Sequence, residues 1–149
     1  MALELVERNY EESQLVLLGI KDNGIVIAAK LAEQLKDIFK GEVIVASLSL
    51  NKKQPGPVQI EPTIDFNNKV VVLIDDVANS GKAMLYSLQP LLKAYPKKIQ
   101  TAALVERTHK SYPIALDYVG LSISTTMNEY IYVEVQDNEV GGAWVDTQE

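Results

Sequence analysis

The chain has 149 residues, a formal net charge of −6 and no cysteine. That length suits a single domain, residues 1–149, with its own hydrophobic core, and the lack of thiols excludes disulfides and sulfur-ligated metals. The acidic balance argues against broad attraction to nucleic acid or an anionic membrane, while leaving room for a local basic patch. No apolar run reaches the roughly 20 residues of a bilayer span. The first residues lack the basic, apolar and small order of a signal peptide, so the cytoplasm is the expected compartment.

In chain order, residues 3–12 read as a short amphipathic helix. No capping residue stands ahead of it, so the natural chain is expected to begin before Met1. Residues 14–19 (QLVLLG) form a continuous apolar run of strand length, the pattern of a strand buried on both faces. A turn at Lys21, Asp22, Asn23 and Gly24 follows. Residues 25–39 then carry Ala28, Leu31, Ala32, Leu35, Ile38 and Phe39 at helical spacing. Residues 42–48 (EVIVASL) are a second strand. Residues 49–68 are irregular, rich in proline, with Lys52 and Lys53 near their start. A connection of that length points to a functional loop or to disorder.

Residues 70–74 (VVVLI) give the strongest strand signal. A helix is predicted over 82–95 with Leu85, Leu88, Leu91 and Leu92 inward. Strands are predicted over 99–105, 117–121 and 130–135. Alternating strands and helices predict an α/β fold with an open, mostly parallel sheet flanked by helices.

The chemistry concentrates at residues 70–83. In open α/β sheets ligands bind beyond the carboxyl ends of the strands, where Asp75 and Asp76 stand. The stretch Ala78, Asn79, Ser80, Gly81, Lys82 and Ala83 leads from them into a helix start. Unpaired N–H groups there, a glycine permitting close approach and a serine hydroxyl suit a phosphate. The acids suit sugar hydroxyls, each charge-assisted hydrogen bond contributing about 1.5–3 kcal/mol. Phosphorylated ribose satisfies both halves. Acid pairs at strand ends also occur in receiver domains and magnesium-dependent phosphatases. The full P-loop pattern is absent, because Ala78 and Asn79 precede Ser80.

Residues 70–83 resemble the 5-phosphoribosyl-1-pyrophosphate (PRPP) signature of type I phosphoribosyltransferases, a hydrophobic strand, two acids and a short loop ending Thr/Ser-Gly-Lys/Arg-Thr. Residues 15–35 (LVLLGIKDNGIVIAAKLAEQL) and 103–120 (ALVERTHKSYPIALDYVG) extend the likeness. Both are similar to the bifunctional pyrimidine-operon attenuator/uracil phosphoribosyltransferase group. The resemblance implies a phosphoribosyltransferase with a small C-terminal hood, acting on Mg–PRPP and a nucleobase, with Mg2+ as cofactor and a homodimer as the assembly. By position, Asp75 and Asp76 would hold the ribose hydroxyls and magnesium. Residues 78–83 would cradle the 5′-phosphate, and Lys21, Asp22, Asn23 and Gly24 would form the pyrophosphate loop. Lys52 and Lys53 would lie in a closing loop. Arg107, counted with the two acids as catalytic, would orient a base or phosphate.

The chain departs from the pattern at definite places. Ala83 replaces the usual threonine and loses a hydroxyl. Lys21-Asp22-Asn23 stands where attenuator-type proteins usually have Lys-Thr-Arg, which removes a cation and adds an acid beside pyrophosphate. Asn79 and Glu106 replace an aspartate and a lysine of hypoxanthine-type enzymes. An amide cannot be a general base, so a pyrimidine is favoured over a purine. The hood stretch Ile123-Ser124-Thr125-Thr126 matches only loosely. His109 reads as a surface or packing residue, Trp144 as a C-terminal packing anchor in preference to a stacking platform, and Tyr130 and Tyr132 as covering the core or an interface. The rival class is a PRPP- or nucleotide-sensing regulator that is catalytically weak, with or without RNA binding, and the net charge gives RNA binding no support.

Overall fold

A computed structural model describes residues 1–51, 53, 54 and 56–147. Six strands form one sheet in the order β3-β2-β1-β4-β5-β6. They are β1 (Gln14–Ile20), β2 (Glu42–Ser49), β3 (Gln59–Glu61), β4 (Val70–Ala78), β5 (Lys98–Arg107) and β6 (Tyr118–Ile123). All pairings are parallel except the short edge pairing of β3 with β2, which bears out the mostly parallel α/β expectation. Strand β3 lies inside the stretch predicted to be irregular. Leu50, Val58, Ile60, Ile64 and Phe66 pin that stretch against the core, so much of it is packed chain.

The pleat splits β1 and β4 between two cores. Leu15, Leu17, Val70, Val72 and Ile74 face α1 (Ala2–Asn9) and α2 (Asn23–Leu35). Val16, Leu18, Val71 and Leu73 face the opposite side, with Met84, Leu91 and Phe66. Each such side chain contributes on the order of 1.5–3 kcal/mol by leaving water, so these two strands anchor the sheet.

The helices depart from prediction where side chains compete with the backbone. Helix α1 stops at Asn9, three residues short of the expected end. There the Asn9 side chain turns into a buried network, donating to Leu5 O at 2.9 Å, Gln100 Oε1 at 2.9 Å and Tyr118 OH at 3.2 Å. Lys98 Nζ donates to Asn9 Oδ1 at 3.0 Å. Helix α2 begins two residues early and ends at Leu35. Phe39 still packs inward through a turn onto Leu35 O, but Ile38, outside the helix, is 39% exposed instead of inward.

The predicted helix over 82–95 is two short pieces, α3 (Lys82–Ser87) and α4 (Gln89–Leu92). Pro90 has no N–H to continue the ladder. Ser87 Oγ donates to Ala83 O at 2.7 Å, a side-chain bond that competes with helix geometry. The break keeps Leu91 fully buried and turns Leu92 outward, 73% exposed.

The hood is an antiparallel ribbon of β7 (Glu129–Gln136) and β8 (Glu139–Thr147). Only the first strand was predicted. Asp137 and Asn138, at φ 51° and 62°, form the two-residue turn, the pattern whose twist suits a tight hairpin. Tyr130, Tyr132 and Trp144 stay partly exposed here, at 38%, 46% and 50%. Trp144 therefore is no packing anchor; its ring lies against Gly142 and opposite Tyr132.

Asn9→Ala should remove the α1 network and leave Gln100 and Lys98 short of a partner. A loss of about 1–3 kcal/mol is expected, measured as a lowered urea midpoint at unchanged slope.

Candidate active site

The strand order reverses between β1 and β4, because the chain runs outward through β2 and β3 and returns beside β1. A crevice opens at the carboxyl ends of strands flanking such a reversal. Register decides what meets there. Gly19 pairs with Ile74, so the loop after β1 and the acids after Ile74 lie side by side. Gly24 makes the approach close, since a Cβ there would stand 2.6 Å from Ile74 O.

A recess of about 230 Å3 sits at the end of β4, lined by Asp75, residues 77–83 and Met84. Sequence reasoning named its acid and its loop. It missed Val77 and Met84, whose apolar side chains carry no functional signal. Asp75 is buried, and its Oδ1 accepts the Asp76 N–H at 3.0 Å, while Asp76 Oδ1 accepts the Val77 N–H at 2.8 Å. Gly81 adopts φ +82°, a conformation costly for other residues. It caps α3, whose first internal bond runs from Leu85 N–H to Gly81 O at 3.0 Å. Ser80 O accepts both Ser111 N–H and Tyr112 N–H at 3.0 Å, and Ser80 Oγ accepts Lys82 N–H at 3.3 Å. The loop is thus held from behind by residues 111 and 112. Because α3 has six residues, an anion here would be held by local N–H groups more than by a long helix dipole.

The predicted pyrophosphate loop splits. Lys21 and Asp22 are exposed, while Asn23 and Gly24 open α2. Lys21 N–H donates to Leu48 O at 2.8 Å, tying the loop to β2. Asn23 Nδ2 reaches Asp76 Oδ2 at 2.9 Å and Val133 O of β7 at 3.1 Å. Lys82 Nζ donates to Lys53 O at 3.3 Å, bringing the predicted closing loop against the loop of residues 78–83. Lys52 lies outside the described residues.

Arg107 is not part of the recess lining. It is 5% exposed, and its guanidinium donates to Thr125 Oγ1 and to Thr126 O, the latter at 2.6 Å, and lies over the Tyr130 ring. His109 Nε2 meets Thr125 O at 2.8 Å, a packing role as expected. Glu106 is occupied by Lys110 at 2.7 Å and lies 3.4 Å from Ser122 Oγ. Glu129, unnoticed in the sequence, accepts the Thr126 N–H at 2.5 Å. The Thr-x-x-Glu spacing of a capping box was its available signal.

A recess built from a glycine-containing backbone loop and a strand-end acid pair at a reversal crevice defines an α/β domain suited to a phosphorylated sugar. The comparisons with known proteins narrow the class. The phosphoribosyl transferase domain matches residues 1–138, and the chain belongs to that family. It is 34% identical to the bifunctional protein PyrR of Ligilactobacillus salivarius over 92% of this chain and 84% of that protein. It is also 34% identical to the pyrimidine operon regulatory protein of Lactococcus lactis subsp. lactis over 91% of this chain and 82% of that protein. The fold is shared with a hypoxanthine phosphoribosyltransferase of Trypanosoma cruzi at a TM-score of 0.72 and 16% identity, covering 83% of this chain and 73% of that one. These relatives bear out the resemblance to the pyrimidine-operon group.

The Thr126 N–H bond, reinforced by Arg107, holds the Glu129 carboxyl below its ordinary range. A depressed folded-state value stabilises the loop above the unfolded value and is lost as pH falls through the folded one. Amide exchange at Thr126 should therefore accelerate relative to neighbouring amides as pH drops below about 4.3. Glu129→Gln should flatten that dependence.

Proposed function

We propose that this protein transfers ribose 5-phosphate from Mg–PRPP to a nitrogenous base, a pyrimidine such as uracil in preference to a purine, and releases pyrophosphate. The observation that carries this reading is the shared recess, which Asp75 and residues 78–83 line together. In that role the loop holds the 5′-phosphate, and Asp75 and Asp76 accept the ribose 2′ and 3′ hydroxyls. A base nitrogen forms its bond to the anomeric carbon while the bond from that carbon to the pyrophosphate oxygen breaks. The charge that develops on the sugar lies beside the two carboxylates.

The donor set fits magnesium, because both acids offer hard oxygen ligands. Among the described residues no group of three or more His, Cys, Asp or Glu could hold a metal ion, so substrate and water oxygens would complete its shell. When bound, the ion would neutralise the departing pyrophosphate. The contact between Lys82 and Lys53 O supports a loop that covers the phosphate loop and excludes water, which would otherwise intercept the sugar. The amide of Asn79 and the ion-paired Glu106 lack the proton chemistry a purine ring would require. The name of the Lactococcus relative supports a pyrimidine. Arg107, held by Thr125 and Thr126, acts in this scheme by positioning the hood loop.

Two observations favour a second reading, a PRPP or nucleotide sensor with weak turnover. Asp22 brings an acid to the predicted pyrophosphate side, and both Asn23 amide hydrogens already go to protein acceptors.

The combined change Asp75→Asn with Asp76→Asn should abolish binding of PRPP with magnesium in calorimetry, and unchanged heats would sink both readings. Incubation with PRPP and a panel of bases should release pyrophosphate, fastest with a pyrimidine. Binding without release for any base would establish the sensor.

A further inference from the structure

The Asn23 side chain joins two parts of the molecule that share no strand pairing. Its amide nitrogen has two hydrogens. One goes to Asp76 Oδ2 at 2.9 Å, and the other to the main-chain carbonyl of Val133 in β7 at 3.1 Å. Both donors are spent, so Asn23 cannot donate to a pyrophosphate oxygen without releasing the acid or the hood. The adjoining backbone lies close to β4, because a Cβ on Gly24 would stand 2.6 Å from Ile74 O. Val133, at the other end of the link, is the buried residue of the ribbon.

We propose that Asn23 is a positioning residue, a strut that couples the state of the Asp76 carboxylate to the seat of the β7–β8 ribbon, in place of serving as a pyrophosphate ligand. This rests on the reading of Asp75 and Asp76 as the ribose-binding pair. Ligand hydroxyls or a cation arriving at Asp76 compete for the same oxygen that Asn23 holds. The amide must turn or let go, and its bond to Val133 O changes with it. Linkage makes the effect reciprocal, so the position of the ribbon alters affinity at the acid pair.

The ribbon carries its own reporter. Trp144 is the single tryptophan of the chain and pairs across the ribbon with Tyr132, one residue from Val133. PRPP with magnesium is titrated into the whole protein, with calorimetry reading binding and Trp144 emission reading the ribbon. The wild type should give both heat and a change in emission. Asn23→Ala should keep binding within about tenfold and lose the emission change. Asn23→Ser, whose one hydroxyl hydrogen can satisfy one acceptor only, should behave alike and serves if the alanine variant does not fold. A wild type that binds with silent emission overturns the strut, as does a variant whose emission still responds. Loss of binding in either folded variant also overturns it, making Asn23 a direct ligand. A wild type that gives no heat refutes the ribose-binding reading itself, and the strut falls with it.

Discussion

The parallel pairing of β1 with β4 is the constraint on which the site depends. These strands are neighbours only because the chain leaves β1 on one side and returns on the other, and their register runs from Leu15 opposite Val70 to Gly19 opposite Ile74. Both are buried on both faces, so a shift by one residue would exchange the two cores' side chains and is strongly opposed. What lies just past the paired stretch then has no freedom. Lys21 to Gly24 must lie beside Asp75 and Asp76. The buried Asp75 is a cost the core would not bear without hydrogen bonding, and the Asp76 N–H supplies one such bond at 3.0 Å.

The hood is secured differently. An isolated two-stranded ribbon is marginal in water, so β7 and β8 depend on what they touch. Lys30 pairs with Glu139 at the ribbon's turn, and that contact raises the Lys30 pKa. The pair is solvent-exposed, and such pairs contribute little. The other attachments involve buried residues: Val133, whose carbonyl accepts from Asn23, and Arg107, which lies over the Tyr130 ring with its hydrogens on Thr125 and Thr126. A ribbon held by a few buried points over a rigid sheet is the kind of element that opens locally at low cost.

Continuous apolar runs made β1 and β4 plain in the sequence, and Asp75, Asp76 and the loop through Ala83 were plain because their order along the chain is their order in space. Features set by competition were not. Nothing in the spacing of Leu85, Leu88, Leu91 and Leu92 announces that Ser87 and Pro90 divide the helix and turn Leu92 outward. Strand β8 was obscured by Gly141 and Gly142, although Asp137-Asn138 is a turn signal that could have paired it with β7. The destination of Arg107 was unreadable, since an arginine at a strand end serves equally well to bind a ligand or to hold a loop. The partners of Asn23 are 53 and 110 residues away, and no local pattern encodes contacts of that range.

The proposed function asks an acidic protein to bind a polyanion, which is a contradiction only if net charge must do the binding. The proposed phosphate site at residues 78–83 offers backbone N–H groups, which would hold an anion without requiring a net cation. The lysine in that loop is partly used elsewhere, with Lys82 Nζ on Lys53 O. In the proposed role recognition falls on geometry, with Asp75 and residues 77–83 lining one recess of about 230 Å3. A phosphate lacking the sugar satisfies the loop and leaves the carboxylates with nothing to accept. A second phosphate in place of the sugar would meet Asp75 and be repelled. Under the proposed function, the same acids that weaken general anion binding would make this recess selective for phosphoribose.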